Sequence, residues 1–352
     1  MVYRYTTFYT GRMEASRSSA RATGADVARL AGVSKTAVSQ VFGGTGRISA
    51  RTKERVLAAA AELGYTPDHA ARSLRLGRTG LLSMVVPQVD NPYYPEIFAG
   101  ARQAAAEHGY AIDLFAVSDA DEARDTLRRL GTGMADGVIV TCENGVEELA
   151  EELLELRDRG IAVAVTHAVG PKPSVPGVRV DIAEGARLAV RHLVELGHRR
   201  IAYVGNLVGA EDPRYGGYRE VLAEAGIEYD ARLVYGVEAT ARGGAGVANR
   251  LEGTAVFAFN DLVAMGIVHG LAKAGVRVPE DVSVVGFDGV DLGEFTVPAL
   301  TTVAHPRQEL GRRAVLRVID QLVGDADASL RPSDEVLMPR LVVRGSTLRA
   351  RS

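Results

Sequence analysis

The chain is poor in the residues that most often carry covalent and metal chemistry. Of its 352 residues one is cysteine, Cys142, and none is tryptophan. A single thiol excludes a disulfide framework and any zinc site built on paired cysteines, and Cys142 reads most simply as a small buried hydrophobe. The seven histidines are scattered and no HExxH occurs. GxxxxGK[ST] and GxSxG are also absent, and GTGMADG at 131–137 is no nucleotide fingerprint leading into a helix. No apolar run approaches the roughly 18 residues that a membrane helix needs. The first twenty residues lack the apolar core of a secretory signal and read as a disordered extension. These absences point to a cytoplasmic chain with no membrane partner, no metal and no cofactor, and they leave an enzyme little to work with.

What is present is unevenly spread. Residues 1–78 hold 13 Arg or Lys against 5 Asp or Glu, and the remainder holds 28 against 39. A balance of +8 at one end and −11 over the rest puts a basic head on an acidic body, as expected where the head meets phosphates.

Inside that head GADVARLAGVSKTAVSQVFGGT (24–45) places two short helical patterns around Gly32-Val33-Ser34. Val27, Ala28, Leu30 and Ala31 would face Ala37, Val38, Val41 and Phe42. Gly32 can end the first helix left-handed and Ser34 can cap the second. The pattern fits a helix-turn-helix, whose second helix enters the major groove, or an ordinary helical hairpin. A third helix follows from Ser49 to Gly64. Asp68–Arg75 could form one or two turns, too short to be stable alone.

Beyond Gly80, apolar strand-length runs alternate with helical patterns, which argues for parallel sheets covered on both faces. One series holds LLSMVVP (81–87), a helix at 95–108, AIDLFAV (111–117), a helix at 121–130, GVIVT (137–141), an acidic helix at 146–158 and IAVAVT (161–166). GVRVD (177–181) starts a second, with IAYVG (201–205), AVFAF (255–259), VSVVGF (282–287) and intervening helices. TTVAH (301–305), a helix at 307–323 and a strand near VLMPRLVV (336–343) complete it. Two such lobes leave a cleft, and ligands bind beyond the C-terminal strand ends. The residues there are Asn91, Tyr93 and Tyr94, then Glu143, His167, Arg214, Asn260, Asp261 and Asp288. Carboxylates, an amide, an arginine fork and an aromatic suit a polyol. Asp261 could equally cap a helix, and Tyr93 and Tyr94 could simply plug the cleft mouth.

DVARLAGVSKTAVSQV, ERVLAAAAELGYTP, ARSLRLGRT, NPYYPEIFAG, GHRRIAYVG, AVFAFND and VSVVGFD occur in the order and spacing of the LacI/GalR family of bacterial transcription regulators, which the chain resembles over roughly residues 22–345. The resemblance implies a helix-turn-helix head (22–66), a hinge helix and linker (67–79), a two-lobed periplasmic-binding-protein-like core (80–345) and a tail (346–352). It implies that Lys35, Thr36 and Gln40 face base edges and that Ser34 and Ser39 meet phosphates. Hinge residues Arg72, Ser73 and Leu74 would lie in the minor groove, with Leu74 as the wedge. Tyr94, Glu143, His167, Arg214, Asn260 and Asp288 would hold the effector.

The chain departs from the family at several places. Ala37 and Gln40 replace the common Thr and Arg, and Gln favours adenine. Gly24 stands where an apolar residue is usual, which would loosen the first helix. His167 replaces an acidic residue, and Pro213 beside Arg214 could alter its aim. Nothing like the leucine-heptad tail of tetrameric members follows residue 345. The expectation is a homodimeric repressor on double-stranded operator DNA, controlled by a sugar-like effector. Competing readings are an enzyme using Asp288 with His167, and a sugar-binding protein feeding a transporter.

Overall fold

The computed structural model describes residues 22–43, 48–66, 78–142, 146–166, 175–206, 212–324 and 334–351. The extension 1–21, the hinge residues Arg72, Ser73 and Leu74, and Glu143 and His167 lie outside the described residues. The chain divides at residue 78 into two compact units.

The first unit contains α1 (Gly24–Ala31), α2 (Lys35–Gly43) and α3 (Ala50–Glu62). Gly24 does not loosen α1. Thr23 accepts from the Asp26 N–H, and the Asp26 carboxylate accepts from the Thr23 N–H at 3.0 Å, a closed capping box. A Cβ at Gly24 would stand 3.2 Å from the Tyr65 hydroxyl, so the glycine makes room for that ring. Val27, Ala28 and Ala31 pack on Val38, Val56, Ala59 and Ala60, with Phe42 edge-on to Tyr65 at 5.7 Å. Leu30, expected inside, is 46% exposed because it falls at the side of the Val27–Ala31 stripe.

The second unit is two lobes. The first lobe is built on β1 (Leu81–Val86), β2 (Ala111–Ala116), β3 (Gly137–Thr141), β4 (Ala162–Thr166), β5 (Gly177–Val180) and a late strand, Asp334–Leu337. Its helices are α4 (Tyr93–Glu107), α5 (Ala120–Leu130) and α6 (Ala150–Asp158). The second lobe follows with α7 (Ile182–Glu195), β6 (Ile201–Gly205), α8 (Pro213–Glu224), β7 (Val234–Gly236), α9 (Ala241–Val247), β8 (Ala255–Ala258), α10 (Asp261–Lys273), β9 (Ser283–Asp288) and β10 (Thr301–Ala304). The chain ends with α11 (Arg307–Val323), the late first-lobe strand β11 (Asp334–Leu337) and β12 (Arg340–Val342). The sheets are six-stranded, ordered β11-β5-β4-β3-β1-β2 and β12-β10-β9-β8-β6-β7. Among the described pairings only β10–β12 is antiparallel.

Three sequence expectations need correction. GVRVD does not open the second lobe, because β5 pairs with β4 and β11 in the first sheet. VLMPRLVV is not one strand. It is β11 in one sheet and β12 in the other, and Pro339 between them cannot continue a ladder. The acidic segment 146–158 is a 3-10 turn, Val146–Leu149, leading into α6.

The chain crosses between lobes after β5, after β10, and between β11 and β12. The middle crossing delivers α11 from the second sheet onto α4 of the first lobe. There the two backbones nearly touch. A Cβ on Gly311 would lie 1.9 Å from the Ile97 carbonyl oxygen, and one on Gly100 would lie 1.9 Å from that of Gln308. Gly311→Ala gains about 1 kcal/mol of helix propensity and must then force the helices apart, at about 3 kcal/mol. The expected net loss in a urea titration is about 2 kcal/mol. An unchanged midpoint would contradict the close packing.

Candidate functional site

In the head, the recognition surface is set by a turn that is held from both sides. Gly32 sits at φ 60° and ψ 44°, and the Val33 N–H returns to the Ala28 carbonyl at 3.0 Å. Arg55 on α3 donates to the carbonyls of Ala31 and Gly32, satisfying the end of α1. The Ser34 hydroxyl accepts the Ala37 N–H at 3.1 Å, capping α2. The only fully buried side chain of α2 is Val38. Lys35 and Thr36 are exposed, and Ser39 and Gln40 are half-exposed. The proposed base-reading residues are therefore on a surface, in the first two turns of α2.

In the two-lobed unit, Tyr94, Arg214, Asn260 and Asp288 are all buried to 5% exposure or less. Arg214 is held under the Asp212 cap of α8, whose carboxylate accepts the Arg214 N–H at 2.7 Å. Pro213 occupies the first helical turn, where its missing N–H costs nothing. The Arg214 guanidinium lies over the rings of Phe259, at 4.3 Å, and Phe287, at 4.8 Å. Asp288 is the only described non-glycine residue at positive φ, 99°. Its carbonyl accepts from Arg307 at 2.8 Å and from the His305 N–H at 3.3 Å, and Arg307 also donates to the Gly289 carbonyl. An acid held in a strained conformation by buried donors is a feature of functional sites.

Other expected contacts have structural tasks. Asn260 caps α10 through the Val263 N–H at 2.8 Å and donates to the Ala239 carbonyl at 3.2 Å. Asn91 accepts the Tyr93 N–H at 3.0 Å. Tyr93 does not plug a mouth; it is 1% exposed, and its hydroxyl is hydrogen-bonded to His305 Nδ1 at 3.2 Å. Asp261 is neither cap nor exposed ligand. It is fully buried, accepting from the Thr302 hydroxyl at 2.6 Å and the Val290 N–H at 2.7 Å. Burial pushes its carboxyl up to about 7, against the pull of Thr302, Val290 and the Arg307 charge.

Sequence reasoning missed Phe259, Phe287, His305 and Arg307. The two phenylalanines look like ordinary strand residues, and Arg307 like an ordinary helix start; only the fold brings them to Arg214 and Asp288. Among the described residues, no helix is long and apolar enough to cross a membrane, and no cluster of His, Cys, Asp or Glu could hold a metal ion.

Residues 25–68 match the description "Bacterial regulatory proteins, lacI family", and residues 190–347 match "Periplasmic binding protein-like domain". The HTH-type transcriptional regulator DegA of Bacillus subtilis (strain 168) is 33% identical, over 92% of this chain and 97% of its own length. The HTH-type transcriptional repressor PurR of Vibrio atlanticus (strain LGP32) is 34% identical, over 92% and 98%. A Lac repressor dimer bound to operator and the anti-inducer ONPF superposes with a TM-score of 0.80 at 25% identity, covering 93% of this chain and 99% of that one. A complex of the transcriptional regulator CelR with cellobiose gives 0.68 at 31% identity, covering 93% and 100%.

Asp261 gives a pH signature. The raised acid binds a proton in the folded chain that the unfolded chain has already released. Its contribution to stability is full below the ordinary carboxylate range of about 4 and is lost as pH rises through about 7. Asp261→Asn keeps an acceptor for Val290 and a partner for Thr302. Relative to the parent chain, the variant should lose this decline in urea titrations between about pH 4 and 7. An identical slope in both chains would remove Asp261 from the account.

Proposed function

The chain belongs to the LacI family of bacterial regulatory proteins and is a DNA-binding transcriptional regulator; from that membership we propose that it is a cytoplasmic repressor whose operator affinity is set by a sugar-like effector held between the two lobes. The observation that supports the DNA-binding half is the exposed polar first turn of α2, fixed by Gly32, Ser34 and Arg55. Lys35, Thr36 and Gln40 read base edges, and Ser34 and Ser39 meet phosphates. Two copies place two recognition helices on a pseudo-palindromic operator. The hinge residues Arg72, Ser73 and Leu74 enter the minor groove between them.

For the effector half the support is the set of Arg214 between its aromatic plates, strained Asp288 and Tyr94. Arg214 and Asp288 bind hydroxyls, Tyr94 offers a ring face, and Asn260 has an N–H to spare beyond its cap. Glu143 and His167 are assigned to the same set from the sequence alone. The cellobiose bound to CelR favours a carbohydrate. An effector with unequal affinity for two lobe arrangements shifts the operator-bound population, and operator shifts effector affinity by the same factor. The relatives are named as regulators, and we assign the chain no catalytic step.

Sites selected from random duplexes by the parent chain should share a pseudo-palindrome. Gln40→Arg should change one symmetric position from adenine to guanine, a discrimination of about 1–3 kcal/mol. Failure to select any sequence over bulk DNA would sink the regulator reading, and an unchanged motif would turn Gln40 away from the bases. Asp288→Asn keeps a side chain that tolerates positive φ and removes the charge. It should weaken sugar binding at least tenfold in calorimetry while operator affinity stays within about twofold. Undiminished sugar affinity would take Asp288 out of the site.

A further inference from the structure

After β12 the chain stays on the second lobe. Residues 344–351, RGSTLRAR, run as a strap across the starts of β9 and β10 and the end of α7. The Gly345 N–H donates to the Ala299 carbonyl at 2.9 Å, and the Ala350 N–H to the Leu196 carbonyl at 2.9 Å. The Ser346 carbonyl accepts from the Val284 N–H at 2.8 Å. The Ser346 hydroxyl, fully buried, accepts from the Thr301 N–H at 2.8 Å and donates to the Val284 carbonyl at 2.6 Å. The Leu348 N–H donates to the Ser283 hydroxyl at 3.0 Å.

Two histidines sit under this strap. His198 is 3% exposed. Its Nε2 lies 3.0 Å from the Leu348 carbonyl and 3.1 Å from the Ser283 hydroxyl, and its Nδ1 lies 2.8 Å from the Thr254 hydroxyl. A carbonyl only accepts, so Nε2 carries the hydrogen and Nδ1 accepts from Thr254, the arrangement of a neutral ring. His192, half-buried on α7, meets the Thr347 hydroxyl through Nε2 at 3.0 Å. Burial holds both rings below the ordinary imidazole value. At His192 the charge of Glu195 pulls the other way, and His198 adds to the effect of burial.

Among the described residues neither ring is hydrogen-bonded to a carboxylate. The acids of the surrounding elements are engaged elsewhere. Asp281, before β9, pairs with Arg277 and Arg351, and Glu252, before β8, with Arg200. Glu220 and Glu224 on α8 pair with Arg187 and Arg191 of α7. Arg199 donates to the Ala225 carbonyl and Arg344 to that of Leu300. The strap itself carries Arg344, Arg349 and Arg351 and no acid. A second proton on either ring therefore adds positive charge under a basic segment, with no anion in contact to receive it. At His198 it also removes the acceptor that Thr254 uses.

We propose that residues 344–351 are an acid-released strap: it is docked on the second lobe while His192 and His198 are neutral, and protonation of the pair undocks it. Its bonds also root β9 and β10, whose other ends carry Asp288 and lead into His305 and Arg307, so undocking loosens the strands that hold the site. With the strap released, both rings take a proton near the ordinary value of about 6.5; with it docked, they resist. Docking is complete above about pH 6.5 and weakens as pH falls through the lowered values of the folded chain.

The test is amide exchange on the full chain, corrected for the intrinsic effect of pH on exchange. The donating N–H groups of Gly345, Leu348 and Ala350 report the strap. Relative to α4 in the first lobe, strap opening should rise at least about fivefold from about pH 7.5 to about pH 5.5. His198→Gln can donate to the Leu348 carbonyl and accept from Thr254 without titrating, and His192→Gln can meet Thr347 in the same way. The double variant should keep the strap docked across this range. In the parent chain, where no variant has to fold, the ring protons of both histidines should titrate with midpoints below about 6.5 in NMR. Strap exchange unmoved by pH, a rise that survives in the double variant, or ring midpoints at or above about 6.5 would each overturn the strap.

Discussion

The bonds from Arg307 to the carbonyls of Asp288 and Gly289 tie the site together. Arg307 opens α11, which packs on α4 in the first lobe, whereas Asp288 ends β9 in the second. The site strand of one lobe is therefore fastened to a helix of the other. Holding a non-glycine residue at φ 99° costs about 1–3 kcal/mol. A hydrogen bond from a buried guanidinium contributes about 1.5–3 kcal/mol. Two such bonds outweigh the strain, so the aspartate can stay in a conformation that its own backbone disfavours. Asp261 fixes the same turn from the opposite side, through the Val290 N–H and the Thr302 hydroxyl. The carboxylate of Asp288 is thus placed by groups that never need to touch a ligand.

The head follows a different logic. Its core is seven small side chains, of which Val27, Val38 and Val56 are the largest. Fully burying a valine contributes about 1.5–3 kcal/mol, so no surplus is available to force a helix into a poor direction. Direction is supplied instead by hydrogen bonds at the turn, which satisfy the carbonyls of Ala28, Arg29, Ala31 and Gly32 and the Ala37 N–H. This frees the first turn of α2 to carry Lys35 and Thr36 outward rather than spending those positions on packing.

Much of this was legible in the residues. The left-handed glycine, the serine caps at 34 and 49, and nearly every strand were readable because each depends on near neighbours in the chain. Lobe membership was not. GVRV has the same pattern whether it pairs with IAVAV or IAYVG, and only the path of the crossover decides. The three-residue strand β7 was missed because so short a segment shows no period. At the site, Arg214 and Asp288 were visible as polar residues at strand ends, but their surroundings come from residues 45 or more positions away from Arg214 and nearly 20 away from Asp288. At Asp261 the residues left a helix cap and a ligand contact equally open, and the structure shows a third arrangement, a buried carboxyl. Its burial is a property of the Thr302 and Val290 backbone packed over it.

The same division between local and long-range contacts limits what a ligand can do. Moving a two-state regulator from 1:99 to 99:1 takes about 5.5 kcal/mol of differential binding. A contact made wholly within one lobe is present in both lobe arrangements and contributes nothing to that difference, however tight it is. A pocket confined to one lobe is such a place: filling it would raise affinity without choosing an arrangement. Asp288 is not, because its carbonyl is held by an arginine from α11, and Tyr93 is not, because its hydroxyl bridges to His305 on the crossing itself. A group that loads Asp288 or displaces Tyr93 pulls on bonds that span the lobes, and those bonds are where differential affinity can arise. Response is thus assigned to the part of the cleft where hydrogen bonds cross from one lobe to the other.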